Sequence, residues 1–209
     1  MKLLRINFFI AAALLVSAPS IAQTSAPSVP PGKASPVSSF PTAKAKLQVV
    51  NTTITEAEVL AAQKAWGEAL IAISTTYDQK GLAAAKALAA KVIDEAYGYQ
   101  YGAVLFKPTL TENPQTFRTT REGALAYFVG DNPAFPKDKG FALKGWRKVE
   151  IENAGIFIVG NVATTMGKVS ITDKTGKVTT VDKTWEFMRD DKGKLRIVVH
   201  HSSLQYSQK

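Results

Sequence analysis

From Lys148 to Ser203 the chain reads KVEIENAGIFIVGNVATTMGKVSITDKTGKVTTVDKTWEFMRDDKGKLRIVVHHSS, and apolar residues recur there at every second position. Val149 and Ile151 alternate with Lys148, Glu150 and Glu152. Further runs cover Ile156 to Val159, Val162 to Thr172, Val178 to Arg189 and Leu195 to Ser203. A period of two marks strands with one buried face, because successive side chains leave opposite sides of the backbone. Turn residues separate the runs: Asn153-Ala154-Gly155, Gly160-Asn161, Asp173-Lys174-Thr175-Gly176 and Asp190-Asp191-Lys192-Gly193. Joints this short connect antiparallel neighbours, so the segment predicts an antiparallel meander.

Upstream of it the period is helical. Thr55 and Glu58 fit a capping box, and Val59, Ala62, Trp66, Leu70, Ile73 and Tyr77 follow at three- and four-residue steps. Gly81 punctuates this helix, and an alanine-rich second one follows, with Ala85, Leu88, Val92 and Ala96 as its buried stripe and Gly98 at its end. Tyr101 to Phe106 reads as a short buried strand that stops at Lys107-Pro108, where the proline cannot donate to a ladder. Thr119 and Glu122 form a second capping-box pattern ahead of Ala124, Leu125, Tyr127 and Phe128, with Gly130 beyond the end. Residues 131–145, with Pro133, Pro136, Gly140 and Gly145, read as a loop. Helices first and strands afterwards make an α+β domain, its helices packed on one face of a curved antiparallel sheet.

The amino terminus has a different character. Lys2 and Arg5 precede an apolar run from Phe8 to Val16, with Ser20 and Ala22 placed for cleavage, the pattern of a secretory signal peptide over residues 1–22. The run is shorter than the roughly 20 residues of a membrane-spanning helix. The expectation is a periplasmic or secreted protein, cleaved near Ala22 and free of the membrane afterwards. Residues 23–52 carry Pro27, Pro30, Pro31, Pro36 and Pro41 among small polar residues and read as a flexible tether, which leaves residues 53–209 as the domain.

Composition removes several function classes. The formal charge is +9, but Lys2, Arg5, Lys33, Lys44 and Lys46 lie ahead of the domain, leaving 21 basic against 17 acidic residues. Those charges are interspersed and no nucleic-acid motif accompanies them, so no nucleic-acid partner is expected. With no cysteine, thiolate catalysis and zinc-thiolate sites are excluded. No nucleophile elbow, phosphate loop, dinucleotide fingerprint or zinc-protease motif occurs.

The chemistry concentrates in the last strand, which carries both histidines, His200 and His201, beside Ser202 and Ser203. Alternation puts His200 and Ser202 on one face, about 7 Å apart, and His201 and Ser203 on the other. Adjacent strand histidines therefore diverge and only one reaches a given pocket, which argues against a three-ligand catalytic zinc. Glu150, Glu152, Asp182 and Glu186 offer oxygen ligands, but charged residues on antiparallel strands more often form a solvated face. A Ser/His/Asp triad built from Ser202, a histidine and Asp182 lacks the needed nucleophile-to-base contact.

Several stretches resemble the iota-class carbonic anhydrases, in the right order: Ala62-Gln63-Lys64-Ala65-Trp66-Gly67-Glu68, Tyr97-Gly98-Tyr99, Val104-Leu105-Phe106-Lys107-Pro108-Thr109, Tyr127-Phe128-Val129-Gly130, Phe141-Ala142-Leu143 before Trp146, and His200-His201-Ser202-Ser203-Leu204. The likeness spans residues 54–206. It implies the NTF2-like (SnoaL-like) cone fold, shared with the association domain of calmodulin-dependent kinase, a homodimer, and reversible hydration of CO2 to bicarbonate. It implies Thr109, Tyr127 and Ser202 as bicarbonate-binding and catalytic residues, Ser203 as a further substrate contact, and His200 as proton acceptor or orienting group. No cofactor is expected; zinc or manganese is not favoured. Val199 and Gln205 depart from the family ending, which has a histidine and a proline there. The first departure weakens metal binding further.

Zinc would lower the pKa of bound water from about 15.7 to about 7. A metal-free site has to offset those roughly 9 units, on the order of 12 kcal/mol, by orientation, proton acceptance and donors aimed at the developing carbonate oxygens. Two other readings attach to such a fold: a non-catalytic small-ligand-binding or oligomerisation domain, and an isomerase of the ketosteroid type. The isomerase requires a carboxylate facing into the pocket.

Overall fold

The computed structural model describes residues 52–207, so the signal-peptide reading and, apart from Thr52, the tether reading fall outside the described residues. Helix α1 runs Glu56–Ala96, strand β1 Leu105–Lys107, helix α2 Arg121–Val129, a 3-10 turn Phe141–Leu143, and strands β2 Trp146–Val159, β3 Val162–Asp173, β4 Val178–Arg189 and β5 Leu195–Leu204. The five strands form one sheet in the order β1-β5-β4-β3-β2.

The capping box at Thr55 forms: Glu58 N–H donates to Thr55 Oγ1 at 3.3 Å and Thr55 N–H donates to Glu58 Oε2 at 2.8 Å. Both carboxylate oxygens of Glu58 also accept from Nη2 of Arg189 on β4, at 2.7 and 2.8 Å, so the cap ties the helix start to the sheet. Gly81 breaks α1 at φ 79°, ψ −175°, a conformation that a side chain disfavours. The broken helix thus lays two segments on the sheet. Val59, Trp66, Leu70, Ile73, Ala85, Ala89 and Ile93 are buried; Tyr77, expected on the buried stripe, is exposed.

Five details correct the sequence reading, the first being that β1 covers Leu105–Lys107 and not Tyr101 to Phe106, with Tyr101 and Leu105 exposed. Asn153-Ala154-Gly155 is no turn: β2 passes through it as one long strand, and the local signal there is a register shift opposite Gly167 and Met166. The sheet is not wholly antiparallel, because β1 pairs parallel with β5. The N-cap of α2 is Thr120, which accepts from Gly123 N–H at 3.1 Å, one residue beyond the predicted Thr119. Within the expected loop, Phe141–Leu143 forms a 3-10 turn. The meander, the leading helices and their packing on the inner sheet face stand as expected, with Trp66, Tyr97, Phe106, Phe128, Trp185 and Phe187 at the centre of the core.

Candidate functional site

Strand β5 carries the site. His200 and Ser202 are buried and His201 is exposed, as alternation requires. Register places Phe106 of β1 and Trp185 of β4 on either side of His200, and Lys183 of β4 beside Ser202. Thr109 follows β1 directly after Pro108, and α2 brings Tyr127 to the same space. A small cavity results, with Thr109, Tyr127, Lys183, His200 and Ser202 as its polar lining and Phe106, Phe128, Phe141, Ile171 and Val181 among its apolar walls.

Within it, Thr109 Oγ1 donates to Ser202 Oγ at 2.8 Å. Burial pushes the Tyr127 phenol up, partly offset by hydrogen bonds from the backbone of Leu110 and Thr109, so its hydroxyl sits against the Thr109 segment. Thr109 and Ser202 thus join their hydroxyls in a cavity that the Tyr127 side chain also lines. Ser203 lies on the other face of β5, opposite Asp182, and does not line it. Of Glu150, Glu152, Asp182 and Glu186, none reaches it either. Glu150 pairs with Lys148, Asp182 accepts from Gln205, and Glu186 accepts from Thr164. The inward carboxylate that isomerase chemistry requires is absent from the lining.

His200 is held on every side. Its ring stacks on Phe106 with centroids 4.3 Å apart, Nδ1 lies 2.8 Å from Tyr97 Oη, and Nε2 lies 2.7 Å from Lys183 Nζ. Burial first, then the neighbouring Lys183 and His201, push its pKa well below the ordinary value. An imidazole so depressed, with both nitrogens engaged, suits the orienting role and not that of a proton acceptor near neutrality.

Lys183 is the residue that the sequence reading missed. Its Nζ also lies 3.1 Å from Ser202 Oγ, and it stands 4.7 and 5.2 Å from the ring centroids of Trp66 and Trp185. No carboxylate pairs with it among the described residues, and burial lowers its pKa to about 7. The signal was present: Val181, Lys183, Trp185 and Phe187 share one parity on β4, so a lysine interrupts an otherwise apolar inward stripe. Tyr97 closes the arrangement from the end of α1, its hydroxyl accepting from Trp66 Nε1 at 3.1 Å.

Residues 57–204 match the family described as metal-independent carbonic anhydrase. The metal-independent carbonic anhydrase of Nostoc sp. (strain PCC 7120) is 74% identical over 167 residues, which cover 80% of this chain and 82% of that protein. A cyanobacterial iota-carbonic anhydrase solved as its bicarbonate complex superposes with a TM-score of 0.76 at 75% identity, covering 78% of this chain and 99% of that one. An NTF2-like protein from Cytophaga hutchinsonii is a more distant structural neighbour, at 13% identity and a TM-score of 0.46, covering 73% of this chain and 100% of that one.

Proposed function

This chain belongs to the metal-independent carbonic anhydrases, enzymes of reversible CO2 hydration, and from that premise we propose that Thr109, Tyr127 and Ser202 bind CO2 and bicarbonate in the cavity over β5, with His200 orienting the site. The observation that carries the assignment is the 2.8 Å contact between the Thr109 and Ser202 hydroxyls inside a cavity that Tyr127 also lines. Hydroxyl donors fixed before reaction stabilise charge as it develops on the carbonate oxygens, at little reorganisation cost. Aromatic and aliphatic walls keep bulk water out and strengthen each of those hydrogen bonds. The bicarbonate complex of the cyanobacterial relative supports the same anion here. Ser203, facing away, has no part in this reading.

The test is stopped-flow CO2 hydration by the mature protein before and after treatment with a strong chelator. Activity should survive stripping and fall in Thr109→Val, Tyr127→Phe and Ser202→Ala. Activity that only added zinc or manganese restores would overturn the reading.

Two further readings belong with it. Lys2, Arg5 and the apolar run from Phe8 to Val16 support export with cleavage near Ala22, and a periplasmic or secreted location. Mass spectrometry of the mature amino terminus checks this. The outer sheet face supports a homodimer: Leu105 and Phe157 lie on one cross-strand row and are exposed, with Met166 on the next row. Sedimentation of wild type against Phe157→Asp checks that.

A further inference from the structure

The hydrogen bonds beneath the cavity admit one consistent placement of protons. Trp66 Nε1 can only donate, so the Tyr97 oxygen accepts from it. Burial holds the Tyr97 phenol far above its ordinary pKa, hence neutral with one O–H. The only other partner of that hydroxyl among the described residues is His200 Nδ1. Tyr97 therefore donates to Nδ1, and the neutral imidazole carries its hydrogen on Nε2. That Nε2–H points at Lys183 Nζ across 2.7 Å. An ammonium has no lone pair to receive it and would set hydrogen against hydrogen; a free amine accepts it. The remaining amine hydrogens then reach Ser202 Oγ and the indole faces, while Ser202, accepting from both Lys183 and Thr109, keeps its own hydrogen for a ligand.

We propose that Lys183 is the proton acceptor of CO2 hydration, held as the free amine by Tyr97 acting through the tautomer of His200. The proposal rests on the cavity being the hydration site. The oxygen of a bound water bonds to the carbon of CO2 as one water O–H bond breaks. The electron pair of one C=O bond moves onto the oxygen that accepts from the Ser202 hydroxyl, itself held by that of Thr109. The proton ends on Lys183 Nζ, so that CO2, water and amine become bicarbonate and ammonium. To receive it, the amine turns about its Cε–Nζ bond and gives up the hydrogen bond from His200. The new ammonium lies beside the new anion and against two indole faces, which favour it while bicarbonate is present. Once bicarbonate leaves, the clash with Nε2–H returns the proton to bulk water or buffer. Tyr97 is here a positioning residue.

The groups that share this environment are few. Among the described residues His200 and Ser202 face Lys183 from β5 and Trp66 faces it from α1, Tyr127 lines the same cavity from α2, and Tyr97, at the end of α1, stands behind His200. Gly167 on β3 brings no charge, and Lys107 on β1 points its ammonium at the Ser202 carbonyl at 3.3 Å.

Lysine side-chain NMR of the whole protein, followed over about pH 5 to 11 and assigned with Lys183→Arg, reads the amine directly. One lysine should titrate near neutrality, and its midpoint should match that of kcat/KM for hydration. Tyr97→Phe removes the tautomer bias and should move both midpoints upward by about one unit, while Lys183→Met, with Lys183→Gln as a second form, should lose at least about a hundredfold in kcat/KM. A Lys183 that stays protonated beyond about pH 9 overturns the proposal, as do midpoints unmoved by Tyr97→Phe or lysine variants within about threefold of wild type. Loss in Thr109→Val and Ser202→Ala without loss in Lys183→Met refutes the lysine role alone; no loss in any of them refutes the site itself.

Discussion

Thr109 Oγ1 and Ser202 Oγ stand 2.8 Å apart although 93 residues separate them in sequence. The parallel pairing of β1 with β5 creates this contact, because it sets Phe106 beside His200 and Lys107 beside His201 and so carries the chain past Pro108 onto the end of β5. Removing the Ser202 hydroxyl leaves that of Thr109 without its partner, and removing the Thr109 hydroxyl leaves Ser202 with Lys183 alone. Thr109→Val, nearly isosteric, is expected to lower kcat/KM by about 10²-fold or more, the usual scale for one preorganised donor. Ser202→Ala should cost a similar factor, and the double variant should cost clearly less than the product of the two. Stopped-flow rates on the four proteins of the cycle check this coupling.

The buried amine also makes stability depend on pH. Its pKa in the folded protein, about 7, lies below the 10.5 of an exposed lysine, so the unfolded chain binds more protons between those values. Stability contributed by this group therefore rises with pH from about 7 to about 10.5, and the burial penalty is fully present below that window. The span corresponds to something on the order of 5 kcal/mol. His200, depressed in the same direction, adds a loss of stability as pH falls through and below about 6.5. Urea unfolding of wild type and Lys183→Met at about pH 7 and about pH 10 should show wild type gaining on the variant with pH. A constant difference would mean that the folded amine titrates like an exposed one.

Most of this architecture was legible because it rests on periodicity. The change from a helical period to alternation after Trp146 placed the sheet, Thr55 and Glu58 placed the start of α1, and alternation on β5 separated His200 and Ser202 from His201 and Ser203. What stayed hidden depends on partners distant in sequence. Asn153-Ala154-Gly155 carries turn residues, yet pairing on one side with β3 and the bonds between Asn153 and Gln63 keep the strand continuous. The parallel seat of β1 leaves no local trace in a three-residue strand. Lys183 was visible as a break in an apolar stripe, but only the structure shows His200 and Ser202 on its amine and, among the described residues, no carboxylate to neutralise it.

Arg118 and Asp138 form an ion pair whose side chains are each 2% exposed, with bonds of 2.9 and 2.7 Å. Arg118 also donates to the carbonyls of Gln115 and Phe117, and its own carbonyl receives the Tyr99 hydroxyl. One side chain thus ties the segment between β1 and α2, which contains Thr109, to the loop beyond α2. Asp138→Ala strands a buried guanidinium and should destabilise the fold by roughly 3–5 kcal/mol. Arg118→Lys should also destabilise, because an ammonium cannot reproduce the two-pronged fork. Denaturant midpoints measure both, and a loss under about 1 kcal/mol in Asp138→Ala would mean that water reaches the pair.

Gly167 separates fold from chemistry. It pairs with Lys183 on one side and with Asn153 on the other, at the register shift of β2. A Cβ there would lie 2.1 Å from the Glu152 carbonyl oxygen and 2.8 Å from Asn153 Cα, both backbone atoms of β2. Neither can swing aside as a side-chain tip would, so β2 itself must move, and with it the bonds from Asn153 to Gln63 on α1. Overpacking of this kind costs about 1–3 kcal/mol where side chains yield, and rigid backbone puts Gly167→Ala at or above the upper end. The strain falls on β2, whereas Lys183, His200 and Ser202 stand on β4 and β5. Gly167→Ala should therefore lower the melting temperature while the folded fraction keeps kcat/KM within a few-fold of wild type. Activity lost in proportion to Lys183→Met, at full folding, would instead mean that the position of β3 controls the amine.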